Sequence, residues 1–289
     1  MTLTRTRRIR EAFGKARNYD SHAQVQAATA RQLAWLVLES GLPVGARVLD
    51  MGCGTGGLAG HLLTSGKMES YLGADISPAM LARAKAKLAK ATPKPLFAAM
   101  DASAPALKPG FDRACPVQAV EGFATCAREP GFHLVASNMA LHWTQDLRAA
   151  LSALWELVLP GGLLAVAIPG ENTFRAWREA HERLGLPCGL QDFPSGSAFA
   201  GYFPASAILL GVTQEFRPLK LRSALDLPRH LKAIGGCVAR SGHQPLTPDQ
   251  FRAVLTELDQ SGPGLPPLGY HVLYGLARKP QMDQISAAD

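Results

Sequence analysis

Residues 47–57 run Arg-Val-Leu-Asp-Met-Gly-Cys-Gly-Thr-Gly-Gly, and the next apolar stretch, Tyr71-Leu-Gly-Ala-Asp-Ile-Ser77, carries an acid at Asp75. A short apolar run, a turn with glycines at 52, 54 and 56, and an apolar continuation predict strand, turn and helix. Glycine is needed in such a turn because the backbone must bend sharply and approach a ligand closely, where any Cβ would obstruct it. The free amides that open the following helix suit a carboxylate or phosphate. An acid at the end of the next strand suits a ribose diol. The segment therefore predicts a nucleotide site at one end of an α/β sheet.

The rest of the chain fits a sheet of that kind. Few breakers interrupt residues 9–38, and Ile9, Phe13, Val25, Leu33, Leu36 and Val37 can share a helical face, which predicts one or two leading helices. Strands are predicted at 48–50, 71–74, 96–100 (ending at Asp101), 134–137 (ending at Asn138) and 163–168, the last after Pro160-Gly-Gly162. Helices are predicted at 58–63, after Ser77-Pro78, and near 146–158. This alternation indicates a mostly parallel sheet.

Residues 102–131 hold prolines, glycines and Cys115 and Cys126 with weak periodicity, which predicts an irregular surface excursion. Further on, helices are expected at 173–184, 226–234 and 247–258, and a Gly/Pro/Ser-rich linker at 188–204. The aromatic, β-prone 269–277 predicts a late edge strand. The expected organisation is one domain over 1–289. Lid helices occupy 1–40, the nucleotide core 45–170, and a cap with the last strands 171–280.

A chain of 289 residues that is 47% hydrophobic can bury a substantial core. It has no run of eighteen apolar residues and no apolar segment behind its basic N-terminus, so neither a membrane span nor a signal peptide is expected, and the cytoplasm is. Five cysteines (53, 115, 126, 188 and 237) form no CxxC pair, which predicts reduced thiols and no metal site. Of the net charge of +7, much sits at Arg5, Arg7, Arg8, Arg10, Lys15 and Arg17. Such a cluster fits an acidic partner or a solvated tail.

Gly52, Gly54 and Gly57 also satisfy the dinucleotide pattern GxGxxG, a weak signal by itself. Three details favour S-adenosylmethionine: Asp50 just before the glycines, the compact Gly-Cys-Gly-Thr-Gly turn, and a second acid at the third strand end, Asp101. Asp50 can balance the cationic amino-acid end of this cofactor, and beside a pyrophosphate it would be repulsive. The expected cofactor contacts are Asp50, Gly52, Cys53, Gly54 and Gly56 on the turn. Asp75, Ile76 and Met80 follow the second strand, Asp101 and Ala102 the third, and Asn138 the fourth. Residues 45–170 thus resemble the class I S-adenosylmethionine-dependent methyltransferases. That resemblance implies a Rossmann-like α/β fold with seven strands, the last antiparallel.

The flanking segments narrow the resemblance. Glu11-Ala-Phe-Gly-Lys-Ala-Arg-Asn-Tyr-Asp20, His22-Ala-Gln-Val-Gln26, Ser137-Asn-Met-Ala-Leu-His-Trp143, Leu231-Lys-Ala-Ile-Gly-Gly236, Pro245-Leu-Thr-Pro248 and Gly269-Tyr-His-Val-Leu-Tyr274 are similar to the malonyl-carrier-protein O-methyltransferases of biotin synthesis. The resemblance implies methylation of the free carboxylate of malonyl borne by acyl carrier protein, or by coenzyme A. A monomer with no nucleic-acid or membrane partner is expected. It also places the leading helices across the cofactor, which makes Tyr19 the candidate wall over the methyl group, with a core tyrosine as its rival role.

Asn138 is the second catalytic candidate, since ligands of open α/β sheets collect at strand carboxyl ends. His142 and Trp143 suit either substrate contact or packing. Arg175, Lys232 and Arg240 are candidate partners for the malonyl carboxylate or the carrier's phosphopantetheine, or else surface charges. Two departures stand out: the 102–131 excursion, and His133 where Phe-Asp commonly opens the fourth strand, with Phe111-Asp112 ahead of the insertion instead. The rivals are a small-molecule methyltransferase, a non-methylating assembly factor of the same fold, and an RNA methyltransferase.

Overall fold

The computed structural model describes residues 2–102, 131–260 and 268–281. Three helices lead, α1 (Thr2–Lys15), α2 (Tyr19–His22) and α3 (Gln24–Glu39). Then come β1 (Ala46–Met51), α4 (Gly57–Leu63), β2 (Met68–Asp75), α5 (Pro78–Lys87) and β3 (Leu96–Ala99). β4 (Phe132–Asn138), a 3-10 turn (Leu141–Trp143), α6 (Leu147–Glu156) and β5 (Val158–Pro169) follow. The remainder is α7 (Arg175–Arg183), α8 (Gly196–Ala200), β6 (Ile208–Pro218), α9 (Asp226–Ala233), α10 (Pro248–Asp259) and β7 (Gly269–Arg278).

The seven strands form one sheet in the order β3-β2-β1-β4-β5-β7-β6. β1 runs parallel to β2 and β4, with Asp50 opposite Gly73 on one side and Ala136 on the other. β2–β3 and β4–β5 are parallel as well. β7 is antiparallel to β5, because the Gly161 amide bonds the Lys279 carbonyl while the Gly170 amide bonds the His271 carbonyl. Strand numbers rise on one side as they fall on the other. Seven strands with a reversed late strand match the expected fold.

Several local expectations need correction. β7 was expected at an edge, yet it lies inside the sheet, and its first nine residues are all buried. The edge strand beyond it is β6, where no strand was expected, because Ile208–Pro218 lacks the alternation of a half-buried strand. The helix expected to run to Val158 stops at Glu156, and β5 passes through Pro160-Gly-Gly162, where Gly161 takes φ 75°. The expected linker 188–204 contains α8, whose Phe199 is fully buried and meets Phe203 edge to face at 5.3 Å. Apart from its end residues, the 102–131 excursion lies outside the described residues, as do Phe111, Asp112, Cys115 and Cys126.

The chain packs as two compact units. One gathers the described residues of 26–168, 196–213 and 273–289. Its core joins Leu49, Met51, Val135, Leu154, Trp155 and Val166. Asp146 caps α6 by accepting from the Ala149 amide at 2.9 Å, and Ala150, Leu151, Leu154 and Trp155 form its buried face. The other unit gathers the described residues of 1–25, 169–195 and 214–272. There α10 opens with a Thr247/Gln250 capping box, and Trp177 of α7 meets Phe251 of α10 at 6.4 Å. Among the described residues no helix is long and apolar enough to cross a membrane.

Candidate active site

In the unit of the parallel strands, β1, β2 and β4 end at the glycine turn. Gly52 has φ 77°, and a Cβ there would fall 2.2 Å from the Ala140 Cβ. Only glycine fits, for conformation and for space. The Gly52 and Cys53 amides both bond the Ala74 carbonyl, at 2.7 and 3.0 Å, so the turn is tied to β2.

Asp50 is 1% exposed. The Tyr71 hydroxyl donates to its Oδ2 at 2.6 Å, and Oδ1 is buried with no partner. Burial pushes the carboxyl up to about 7; the Tyr71 hydrogen bond opposes this and the charge of Asp75 adds to it. Asp75 is fixed by backbone: the Gly54 amide donates to Oδ2 at 2.9 Å and the Ser77 amide to Oδ1 at 2.8 Å. Burial raises its pKa despite those two bonds. A carboxylate oxygen accepts twice, so each Asp75 oxygen keeps a lone pair for a diol.

Cys53 is buried, and burial followed by the charges of Asp50 and Asp75 pushes its thiol well up, which makes it a packing residue of the turn. Met80 is buried on α5, and Ile76 is half-buried beside Asp75. Asp101 and Ala102, both half-buried, follow β3, and the Met100 amide ties that strand end to the Asp75 carbonyl at 3.1 Å. At the end of β4, the Asn138 side-chain amide donates to the Gln26 carbonyl at 3.0 Å, and its Oδ1 is buried with no partner. His142 and Trp143 stand on the 3-10 turn with ring centroids 5.1 Å apart.

The structure thus gathers Asp50, Gly52, Cys53, Gly54, Gly56, Asp75, Ile76, Met80 and Asn138 around one turn. The sequence reading missed Tyr71, the partner of Asp50, because an aromatic opening a strand signals core. It also missed Gln26, whose only mark was its place in the leading helices.

The remaining candidates belong to the other unit. Tyr19, half-buried, opens α2, which packs against α9. Arg175 is 71% exposed and bonds Glu179 one turn along its own helix at 2.6 Å. Arg240 is exposed, 3.5 Å from Asp192, and Lys232 is exposed on α9. Arg5, expected in a free basic cluster, is 8% exposed and donates to Gln191 Oε1 at 3.0 Å. Arg178 is the more enclosed arginine of α7, bonding the Gln191 carbonyl and standing over the Phe193 ring at 5.5 Å. His230 meets the Tyr270 hydroxyl at 3.1 Å, and burial, with His22 adding, lowers it to about 4, so the ring is neutral at physiological pH.

The groups at the turn fit S-adenosylmethionine. Its ammonium suits the unpartnered oxygens, its diol suits Asp75, and at Gly54, where a Cβ would meet nothing within 4 Å, there is open space against the backbone of the turn. Strand order, glycine turn and paired acids define a class I S-adenosylmethionine-dependent methyltransferase.

A methyltransferase domain model matches residues 49–164. The YcgJ protein of Bacillus subtilis shares the fold, with TM-score 0.57 and 13% identity over 86% of this chain and 98% of that one. A malonyl-acyl carrier protein O-methyltransferase of Magnetococcus marinus is 32% identical over 271 residues, covering 94% of this chain and 92% of that protein. The biotin biosynthesis bifunctional protein BioCD of Bordetella avium is also 32% identical, over 98% of this chain and 55% of that longer protein. The chain belongs to the malonyl-acyl carrier protein O-methyltransferase family.

Proposed function

We propose that this protein methylates the free carboxylate of malonyl carried on acyl carrier protein, giving the methyl ester that primes biotin synthesis. The observation that carries the reading is the 32% identity with the Magnetococcus enzyme across 94% of this chain, well beyond the cofactor-binding part alone.

Bound at the glycine turn, S-adenosylmethionine supplies an electrophilic methyl group on a sulfonium. The malonyl carboxyl has a reference pKa of about 4, so it is ionised at neutral pH and needs no general base. With the cofactor bound, attack of the malonyl oxygen on the methyl carbon would leave the carbon–sulfur electron pair on sulfur. No proton moves. The products are a neutral ester and a neutral thioether.

What the protein contributes is alignment and exclusion of water. In this reading Asp50 holds the ammonium, Asp75 the ribose diol, and Asn138 the strand end facing the reacting centre. Tyr19 is assigned to the wall over the methyl group on family resemblance. Exposed Arg8 and Arg10 are assigned to the acidic carrier, where complementary charge speeds encounter and makes it salt-sensitive.

The test is to incubate the protein with S-adenosylmethionine and malonyl-acyl carrier protein, beside malonyl-coenzyme A, and to weigh the products intact. A gain of one methyl, removed by ester hydrolysis, is expected on the carrier. A protein that binds the cofactor and methylates neither acceptor would defeat the reading.

A further inference from the structure

Among the described residues of the unit of the parallel strands, three buried side-chain oxygens have no hydrogen-bond partner: Asp50 Oδ1, Asn138 Oδ1 and Gln26 Oε1. Each such acceptor, left unmade, costs about 1–3 kcal/mol. Asp50 stands opposite Ala136 on the neighbouring strand, two residues before Asn138. The Asn138 side-chain amide is tied to the Gln26 carbonyl at 3.0 Å. One turn further along α3, Ala30 lies where a Cβ on Gly57 would touch it at 3.8 Å. The Gln26–Ala30 stretch of α3 therefore packs between the end of β4 and Gly57, the residue that follows the glycine turn, and this brings the three acceptors into one neighbourhood.

Acceptors alone suit a ligand that brings only donors. Phosphate and carboxylate are repelled by such a set. A sulfonium has no hydrogen to give, and the diol has Asp75. A primary ammonium offers three N–H donors, one for each oxygen.

We propose that Gln26 is a ligand of the cofactor's methionyl ammonium group, its Oε1 completing with Asp50 and Asn138 an acceptor cage for that cation. The assignment rests on the S-adenosylmethionine reading above. It gives α3 a direct part in holding the cofactor, through the cation's amino-acid end as distinct from its nucleoside end.

The experiment is calorimetric titration of the full chain with two product-side probes. S-adenosylhomocysteine carries the ammonium; 5′-deoxy-5′-methylthioadenosine keeps the nucleoside and thioether and lacks it. Gln26→Leu is expected to weaken S-adenosylhomocysteine about tenfold, the loss of one charge-assisted hydrogen bond. It should leave methylthioadenosine within about twofold, a change too small for a lost hydrogen bond. Gln26→Glu, which keeps the acceptor and adds charge, is expected to bind S-adenosylhomocysteine at least as tightly as the wild type.

Unchanged S-adenosylhomocysteine binding in Gln26→Leu would overturn the assignment. So would an equal loss for both probes, or a loss in Gln26→Glu. A wild-type protein that binds neither probe would overturn the cofactor reading itself, and that result is distinct from one confined to the variants.

Discussion

The two units treat charge in opposite ways. At the glycine turn, Asp50 and Asp75 are buried and held by Tyr71 and by backbone amides. In the other unit the charges largely lie outward in side-chain pairs, such as Arg175 with Glu179 and Arg183 with Glu257. A buried acid held by its surroundings costs folding energy and is kept for what it binds. An exposed pair contributes little to stability and is easily replaced. The first unit thus keeps its acids in its interior, and the second keeps its basic side chains largely exposed or half-enclosed.

The comparison breaks most visibly at Gly52. Gly52→Ala combines a disfavoured φ with a Cβ in the space of Ala140, so stability is expected to fall by about 3–5 kcal/mol and cofactor binding to be lost, as urea unfolding and calorimetry would show. A variant as stable as the wild type would mean that the turn yields where the contact says it cannot.

Asp50→Asn comes next, with an expected loss of roughly 30–100-fold in S-adenosylhomocysteine affinity at pH 8. Its stability should move the other way. The folded carboxyl, raised from 3.8 to about 7, binds its proton more tightly than the unfolded one. Its favourable contribution is therefore complete below pH 3.8 and disappears as pH rises through about 7. Above that, the ligand-free wild type carries an uncompensated buried charge, and the neutral amide should unfold at higher urea. Cofactor affinity in the wild type should weaken as pH falls below about 7, and in Asp50→Asn this dependence should vanish.

Tyr71→Phe sharpens the same point. It removes the hydrogen bond that holds the Asp50 pKa down, so the midpoint of that pH dependence should rise by about one unit, and a midpoint that stays put would take Tyr71 out of the account.

In the other unit the effects should be smaller and should divide by burial. Arg5→Ser loses a bond to Gln191 and is expected to cost about 1–2 kcal/mol, whereas Arg8→Ser and Arg10→Ser should leave stability within about 0.5 kcal/mol. The salt dependence of KM for the carrier substrate should flatten in the latter pair, and an unchanged KM would remove them from docking. Smallest of all, Arg175→Ala should alter stability by less than about 0.5 kcal/mol. A tenfold fall in kcat/KM with that variant would show that Arg175 leaves Glu179 for the substrate.

The same division explains what could be read from the chain. β1, the glycine turn and Asp75 are legible because a sharp backbone turn leaves few residue types to choose from, and strand ends fix the spacing of the acids. The carriers of charge in the other unit are not legible in that way. Arg5 and Arg175 look alike in sequence, and only packing separates the buried one from the exposed one. Arg178 and Arg175 differ by less than one helical turn, yet only Arg178 is enclosed by Gln191 and Phe193.

β6 and β7 show the same limit for the fold. Aromatic, β-prone residues announce a strand at 269–277 without saying that it pairs on both sides. The edge strand β6 beyond it, carrying Ile208, Leu209 and Leu210 partly in solvent, has no alternation to announce it.

The place of β7 has a consequence for how the protein is made. Both its neighbours, β5 and β6, precede it in the chain, so during translation they emerge with no partner between them. The sheet cannot close until residues 269–278 have been synthesised. Until then the nascent chain shows two unpaired strand edges, the kind of surface on which other chains pair wrongly. Of the seven strands, the ribosome thus delivers last the one that seals the interior of the sheet.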